Sequence, residues 1–339
     1  MRLTEAFRDQ AVHCEGLGSP FMAQLMRVLA DHLTADHGHV SEKLFAWPGD
    51  VSPRGASLPL RIAGGLHAMQ LRGYSPLDTV YPPMEVDDDA LWSAVSDALH
   101  AGAAFLMEFV DAPPQTNELR RAATFRAAGH WLTARYGLPL ELCELGASAG
   151  LNLNWDQYAL RAGDAVFGPD PAVLTLSPEW RGPLPAAVEP EVSARSGVDL
   201  APLSPVSDRL RLLAYLWPDQ PDRRALTLAA LTLPPAPVDA GDAADWLEAL
   251  APHAPGTCRM ICNSVAWQYF PRMVQVRARA AIDRLGDAAT PDAPLAHFAM
   301  EADGATPGAG LRVTTWPGGR TLDAGRTDFH GRWIDWRLT

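Results

Sequence analysis

Lysine is almost missing: Lys43 is the only one, and arginine supplies every other member of the 28 basic residues. A lysine Schiff-base mechanism is therefore excluded unless Lys43 itself carries it, and the skew reads as codon bias rather than function. Cysteine is scarce too. Cys14, Cys143, Cys258 and Cys262 are scattered over 339 residues, which is no disulfide framework, so a reducing compartment is expected. Cys258 and Cys262 have a loose metal-like spacing, but no second Cys/His pair accompanies them. Residues four apart on a strand share a face, so both read as packed core and no metal is expected. No apolar run approaches the roughly 20 residues that cross a bilayer. The first residues, Met1 to Gln10, lack the apolar core of a signal peptide. The expected location is cytoplasmic.

Acid, by contrast, is plentiful. Forty acidic residues against 28 basic ones leave a net charge of −12. Such a surface repels phosphate polyanions and anionic membranes on average. The expected partner is a small-molecule substrate, with no nucleic acid and no membrane; the oligomeric state is not legible. An apolar content of 47% is too high for a disordered chain, and the length allows about two modest domains or one large decorated domain.

The pattern along the chain divides near residue 135. Before it, helices are expected. Ser19-Pro20 reads as a cap and first turn ahead of Phe21, Leu25, Val28 and Leu29. A Gly/Pro-rich stretch around Trp47-Pro48-Gly49 and Arg54-Gly55 ends that unit, and Tyr81-Pro82-Pro83 breaks the next one. Asp87, Asp88 and Asp89 suit the N-terminus of a helix carrying Leu91, Val95 and Leu99. A further helix is expected from Thr116 or Asn117. After Gly137 the texture changes, with a core strand over 138–145, a glycine turn, and a helical pattern from Leu151 to Leu160. Residues 163–193, rich in Pro and Gly with short β-like pieces at Ala165 to Phe167 and Val173 to Leu176, read as an insertion. Strands and helices then alternate, and the end suits two strands, 311–316 and 329–336, joined by a Gly-rich turn. The expected architecture is a helical N-terminal region over 1–135, then over 136–339 a seven-stranded, doubly wound Rossmann-like α/β sheet.

The sharpest feature is Glu144-Leu145-Gly146-Ala147-Ser148-Ala149-Gly150-Leu151-Asn152. Small residues between a strand and a helix let a ligand approach the backbone and meet free N–H groups. Three readings follow. The first is a site for S-adenosylmethionine. It needs an acid at the end of the glycine strand, one after the next strand for the ribose, and a third for the adenine amine. Glu144, Asp199 and Asp242 stand in that order. The second takes Gly146-x-Ser148-x-Gly150 as a nucleophile elbow, with Asp303 or Asp328 and His330 completing a serine hydrolase. It ranks lower, because a hydrolase elbow has strands before it and the preceding chain here reads helical. The third, a dinucleotide dehydrogenase, ranks last: the glycines have the wrong spacing and no acid-ended strand follows about 20 residues on.

The segment Glu144-Leu145-Gly146-x-Ser148-x-Gly150 resembles the first motif of class I S-adenosylmethionine-dependent methyltransferases, with Ser148 where many members have glycine. Nearly the whole chain resembles an uncharacterised bacterial family, domain of unknown function 2332. Gln115-Thr116-Asn117-Glu118, the glycine segment, 195–200, Trp217-Pro218-Asp219-Gln220 and Gly241-Asp242-Ala243 carry that likeness. It implies a methyltransferase-like sheet with a helical N-terminal region and brings no activity with it. Cys262-Asn263-Ser264-Val265-Ala266 departs from the Asn/Asp-Pro-Pro-Tyr/Phe of amino-methylating enzymes, which argues against nucleic-acid base amines as acceptors.

The resulting expectation is methyl transfer to a small or medium-sized molecule, with the helical N-terminal region closing the far side of the pocket. Glu144, Gly146, Ser148, Gly150 and Asn152 would hold the methionine part of the cofactor, Asp199 the ribose and Asp242 the adenine. Asn263 would orient the substrate, and Glu301 is the best-placed general base. The alternative is a methyltransferase-like sheet that binds a ligand without catalysis. Other candidates have plainer readings. Gln115 to Glu118 suit a helix cap, Asp36-His37-Gly38-His39 a polar loop, His32 a satisfied core position on the apolar helix face, His330 a structural position, and Trp267, Tyr269 and Phe270 core packing.

Overall fold

The computed structural model describes every residue except Met1, Arg54 and Pro252, so the Arg54 end of the first Gly/Pro-rich stretch lies outside the described residues. The chain forms two compact units, Met1–Thr116 with Pro205–Ala225, and Asn117–Ser204 with Leu226–Thr339. The division falls at residue 116 rather than 135, and a later stretch returns to the first unit. What moves the boundary is the last helix before the sheet, which packs on the 151–157 segment and on strands of the sheet.

The first unit contains α1 (Leu3–Gly16), α2 (Pro20–His32), α3 (His39–Phe45), α4 (Leu58–Leu71), α5 (Ser75–Asp78), α6 (Asp88–Ala101) and α7 (Ala103–Phe109), joined by α9 (Arg209–Ala214). Ser19 caps α2, its hydroxyl accepting from Met22 N at 3.3 Å, and Asp87 caps α6 through Ala90 N at 2.8 Å. α4 is buried on all sides, the pattern of a central helix. Its Gly64-Gly65 pair explains how neighbours come so close. A Cβ at Gly64 would stand 2.6 Å from the Tyr215 ring, and one at Gly65 would stand 2.7 Å from Leu106. His32 stacks on Trp92 with ring centroids 5.4 Å apart, and His37 meets the same ring edge-on.

The second unit is built on a nine-stranded sheet. α8 (Ala122–Tyr136) ends at Gly137, whose φ of 65° is the usual helix stop. The strands are β1 (Leu140–Leu145), β2 (Ala159–Ala162), β3 (Ala165–Phe167), β4 (Thr175–Leu176), β5 (Glu179–Arg181), β6 (Val192–Asp199), β7 (Val238–Ala240), β8 (Cys258–Ser264), β9 (Leu295–Glu301), β10 (Ala309–Trp316), β11 (Arg320–Thr327) and β12 (Trp333–Trp336). In space the large sheet runs β5-β12-β11-β10-β9-β8-β1-β6-β7. From β7 to β9 the strands are parallel, and β10, β11 and β12 continue as antiparallel neighbours. α11 (Ala243–Ala249) and α12 (Arg272–Asp287) belong to this unit, and α10 (Pro221–Ala230) begins in the first unit and ends in this one.

Alternation along the strands sorts the two faces. Cys143, Leu145 and Ile261 point toward Ala244 and Leu247 of α11 and Ala278 and Ile282 of α12. On the other side α8 packs on β8 and β9, where Phe125 meets Phe298 edge-on at 5.9 Å.

The architecture departs from the expected pattern in identifiable places. The sheet has nine strands, not seven, because the expected C-terminal pair is three strands and β5 from the Pro/Gly-rich insertion pairs with β12. The short β pieces expected inside the insertion are present as β3 and β4, but they pair with β2 in a separate three-stranded sheet. The helical pattern read over Leu151 to Leu160 is a 3-10 segment, Leu151–Gln157, followed by β2. It is interrupted by non-helical Asn154, and the Tyr158 hydroxyl donates back to Leu151 O at 2.6 Å. Asn and Asp side chains compete for backbone partners and weaken a regular helix there.

Candidate functional site

The chain leaves β1 in one direction to β6 and β7, and in the other to β8 and β9. The order reverses between β1 and β8, and in open α/β sheets ligands bind at the carboxyl ends beside such a reversal, where the turns after the two strands form its lips. Both lips have unusual backbone. After β1, Gly146, Ser148 and Gly150 have φ of 71°, 53° and 70°; after β8, Val265 has φ 51°. A serine there is uncommon and a β-branched valine is an outlier, conformations that persist only where the surroundings impose them.

β6 imposes the first. Gly146 N and Ala147 N donate to Val198 O at 2.8 and 3.1 Å, and Ser148 N donates to Asp199 Oδ2 at 2.9 Å. Asp199 Oδ1 accepts from Ala201 N at 3.0 Å. Glycine is needed at 197 as well, where a Cβ would stand 2.7 Å from that of Ala147. Three of the sequence-predicted residues, Glu144, Ser148 and Asp199, are thus brought together. Asp242 lies on the same rim beyond β6, and Gly241 N donates to Asp199 O at 2.9 Å. Its carboxylate caps α11, Oδ1 accepting from Ala244 N at 2.8 Å and Asp245 N at 3.2 Å, which leaves Oδ2 outside the cap.

Within this turn, buried polar atoms stand without partners. Glu144 is 2% exposed, and its Oε2, the Ser148 Oγ and the Asn152 Oδ1 have no hydrogen bond. Buried polar groups are nearly always paired, so such a cluster calls for an explanation, and a ligand is one. Burial pushes the Glu144 carboxyl well above its ordinary range and the Asp199 charge pushes it further, against the opposing pull of Arg121 and the Asn152 amide. Asn152 Nδ2 donates to Glu118 O at 3.5 Å, and Leu151 N to Asn117 Oδ1 at 3.3 Å. Glu118 itself caps the short turn Leu119–Arg121, accepting from Arg120 N.

The β8 lip touches the β1 turn: a Cβ on Gly146 would stand 2.5 Å from that of Ala266. Ala266 N and Trp267 N donate to Glu301 Oε1 at 2.9 and 3.0 Å, and Asn263 Nδ2 to the same oxygen at 2.8 Å. Glu301 Oε2 is buried without a partner. Burial raises this carboxyl too, opposed by the three N–H donors and by Arg121. Arg121 sits between the lips, its Nε donating to Phe329 O and its Nη1 to Ser264 O.

Arg121 and His297 escaped the sequence reading. His297 is 3% exposed and bonds Asn263 Oδ1 at 2.8 Å. A period-2 strand places His297 and Glu301 on one face, which was the available signal; nothing local marked Arg121. The aromatic group divides: Trp267 and Phe270 pack against the α11/α12 core, but Tyr269 is 61% exposed and is not core. The serine-hydrolase set is not assembled. Ser148 Oγ has no hydrogen-bond partner, Asp303 pairs with Arg326, and Asp328 pairs with Arg332. A depression of about 240 Å³ lies over β10 and β11, but its Arg326 and Arg337 are paired with its own Asp303 and Asp323.

Fold and site define an α/β protein with a mostly parallel central sheet and a cluster of buried polar side chains at the carboxyl ends of its middle strands. The chain belongs to a family described as an uncharacterized protein conserved in bacteria (DUF2332), whose family model matches residues 4–336. No curated protein and no solved structure matches it. Among the described residues no helix is long and apolar enough to cross a membrane.

Proposed function

We propose that this protein binds S-adenosylmethionine at the carboxyl ends of β1 and its neighbouring strands and transfers its methyl group to a small or medium-sized molecule. One observation carries the reading: acids at the ends of three adjacent parallel strands, Glu144, Asp199 and Asp242, surround a glycine turn with unpartnered buried polar atoms. The residues fit the cofactor. Glu144 Oε2, Ser148 Oγ and Asn152 Oδ1 offer acceptors for an ammonium group, and Gly146 and Gly150 leave backbone uncovered. Asp199 already holds Ser148 N–H and Ala201 N–H, yet each carboxylate oxygen accepts more than one donor, so ribose hydroxyls can share it. Asp242 Oδ2 would take the adenine amine. When bound, the sulfonium supplies an activated methyl; the chain's task is alignment and exclusion of water.

A second reading keeps the binding and drops the catalysis, favoured by the serine in the glycine motif. The hydrolase reading has one point for it, since the φ of Ser148 suits a strained elbow, and one against, the missing base. A thermal-shift titration tests the proposal. S-adenosylmethionine and its demethylated product should each raise Tm, by mass action on the native state. No shift at millimolar ligand rejects it.

A further inference from the structure

Resting on the methyl-transfer reading, we infer that Glu301 Oε2 takes the proton from the methyl acceptor, and that His297 and Asn263 are positioning residues that aim it. The acceptor is then an O–H or N–H compound. A chain of hydrogen bonds runs to Glu301 from α12. Arg279 on α12 lies over the Trp267 ring at 5.2 Å and brings its Nη1 to His297 Nδ1 at 3.4 Å. A guanidinium only donates, so Nδ1 is the acceptor and the imidazole proton sits on Nε2. Nε2–H therefore donates to Asn263 Oδ1, which turns the Asn263 amide so that Nδ2 donates to Glu301 Oε1. Burial and the Arg279 charge hold His297 down at about 3, so the ring stays neutral and the sense of the chain does not change at working pH.

The two oxygens of Glu301 divide the work. Oε1 takes Asn263 Nδ2, Ala266 N and Trp267 N, and so closes the strained turn after Val265. Oε2 is buried and takes nothing. The charged groups facing this carboxyl are Arg121 from the front and, through the imidazole, Arg279 from behind. A carboxyl raised toward working pH is a better base than a surface one. In the step itself, the acceptor's lone pair bonds the methyl carbon while the carbon–sulfur pair returns to sulfur. The acceptor's proton moves to Oε2, leaving a methylated acceptor, a neutral thioether and a protonated Glu301.

Three variants of the full chain test this. Glu301→Gln keeps an oxygen for the three donors but puts an NH2 where Oε2 was. His297→Leu removes the donor to Asn263, and His297→Gln restores an N–H near the Nε2 position. The first readout is 13C NMR titration of glutamate carboxyls, with Glu301 assigned by its loss in Glu301→Gln. His297→Leu should raise the Glu301 midpoint by roughly half a pH unit or more, as expected for one lost hydrogen bond, and His297→Gln should return it. An unmoved midpoint in His297→Leu overturns the positioning role. The second readout is demethylated cofactor formed from S-adenosylmethionine in a deproteinised bacterial metabolite extract. Glu301→Gln should bind the cofactor like the wild type by calorimetry and turn over about 100-fold slower or worse. Wild-type turnover by Glu301→Gln, or a wild-type chain that binds cofactor and forms no product, overturns the base role. Absence of cofactor binding by the wild type sinks the methyl-transfer reading instead, and the NMR titration still decides the relay.

Discussion

Asp199 offers the most direct test of how the glycine turn is held. Replacement by alanine removes the acceptor for Ser148 N–H, which is buried in a left-handed conformation, and the acceptor for Ala201 N–H, which is exposed. Water replaces the second cheaply. The first leaves a buried donor without a partner, at a cost of about 1–3 kcal/mol. Amide exchange of Ser148 should therefore quicken roughly 5- to 150-fold by the same scale. Asp199→Asn keeps an acceptor for Ser148 and should exchange nearly as slowly as the wild type. Calorimetry with the demethylated cofactor separates the two roles of the carboxylate. Both variants should bind more than about tenfold more weakly, since one side-chain contact to a charged group is worth about 1.5–3 kcal/mol. Unchanged Ser148 exchange in Asp199→Ala would refute the structural argument, and unchanged affinity would refute the binding role.

Two other perturbations follow from buried charge. The Glu144 carboxyl is raised above its ordinary 4.5 by burial and by Asp199, so the wild type loses stability as pH climbs from that value through the raised one. Glu144→Gln should match the wild type in Tm near pH 4 and gain on it with rising pH, by at most about 1.4 kcal/mol per pH unit; a pH-independent difference rejects this. Arg126 on α8 is fully buried, donates to Trp155 O and Asp156 O, and pairs with Glu189, linking α8 to the segment after β5. Glu189→Ala should cost about 1.5–3 kcal/mol, less than the loss of a fully buried partner because Glu189 is half exposed. Limited proteolysis should then cut the 182–191 segment faster, and equal rates would show that the pair holds nothing.

How legible the protein was varies with the range of the interaction. Ser19-Pro20 and Asp87 announce their helices because a cap needs only the next turn. The glycine turn was legible for the same reason, since Gly146 and Gly150 take the positive φ the sequence calls for. The placement of Asp199 and Asp242 on one rim followed from alternation and strand order. Strand count did not follow. β5 is three residues long and has no signal apart from its pairing with β12, which lies about 150 residues later. Trp267, Tyr269 and Phe270 are indistinguishable in composition, yet only Tyr269 faces outward.

Within the site the same line holds. Alternation and turn chemistry are local, so the linear order of residues sufficed to nominate Glu144, Ser148, Asp199, Asp242, Asn263 and Glu301. Which oxygen of Glu301 is occupied, which nitrogen of His297 carries the proton, and why Arg121 stands between two buried carboxyls were settled only when distant segments packed. Hydrogen bonds such as Asn263 to Glu301, 38 residues apart, and Arg121 to Phe329, 208 apart, form only when the folded chain has brought their ends within about 3 Å, and no local pattern records that closure.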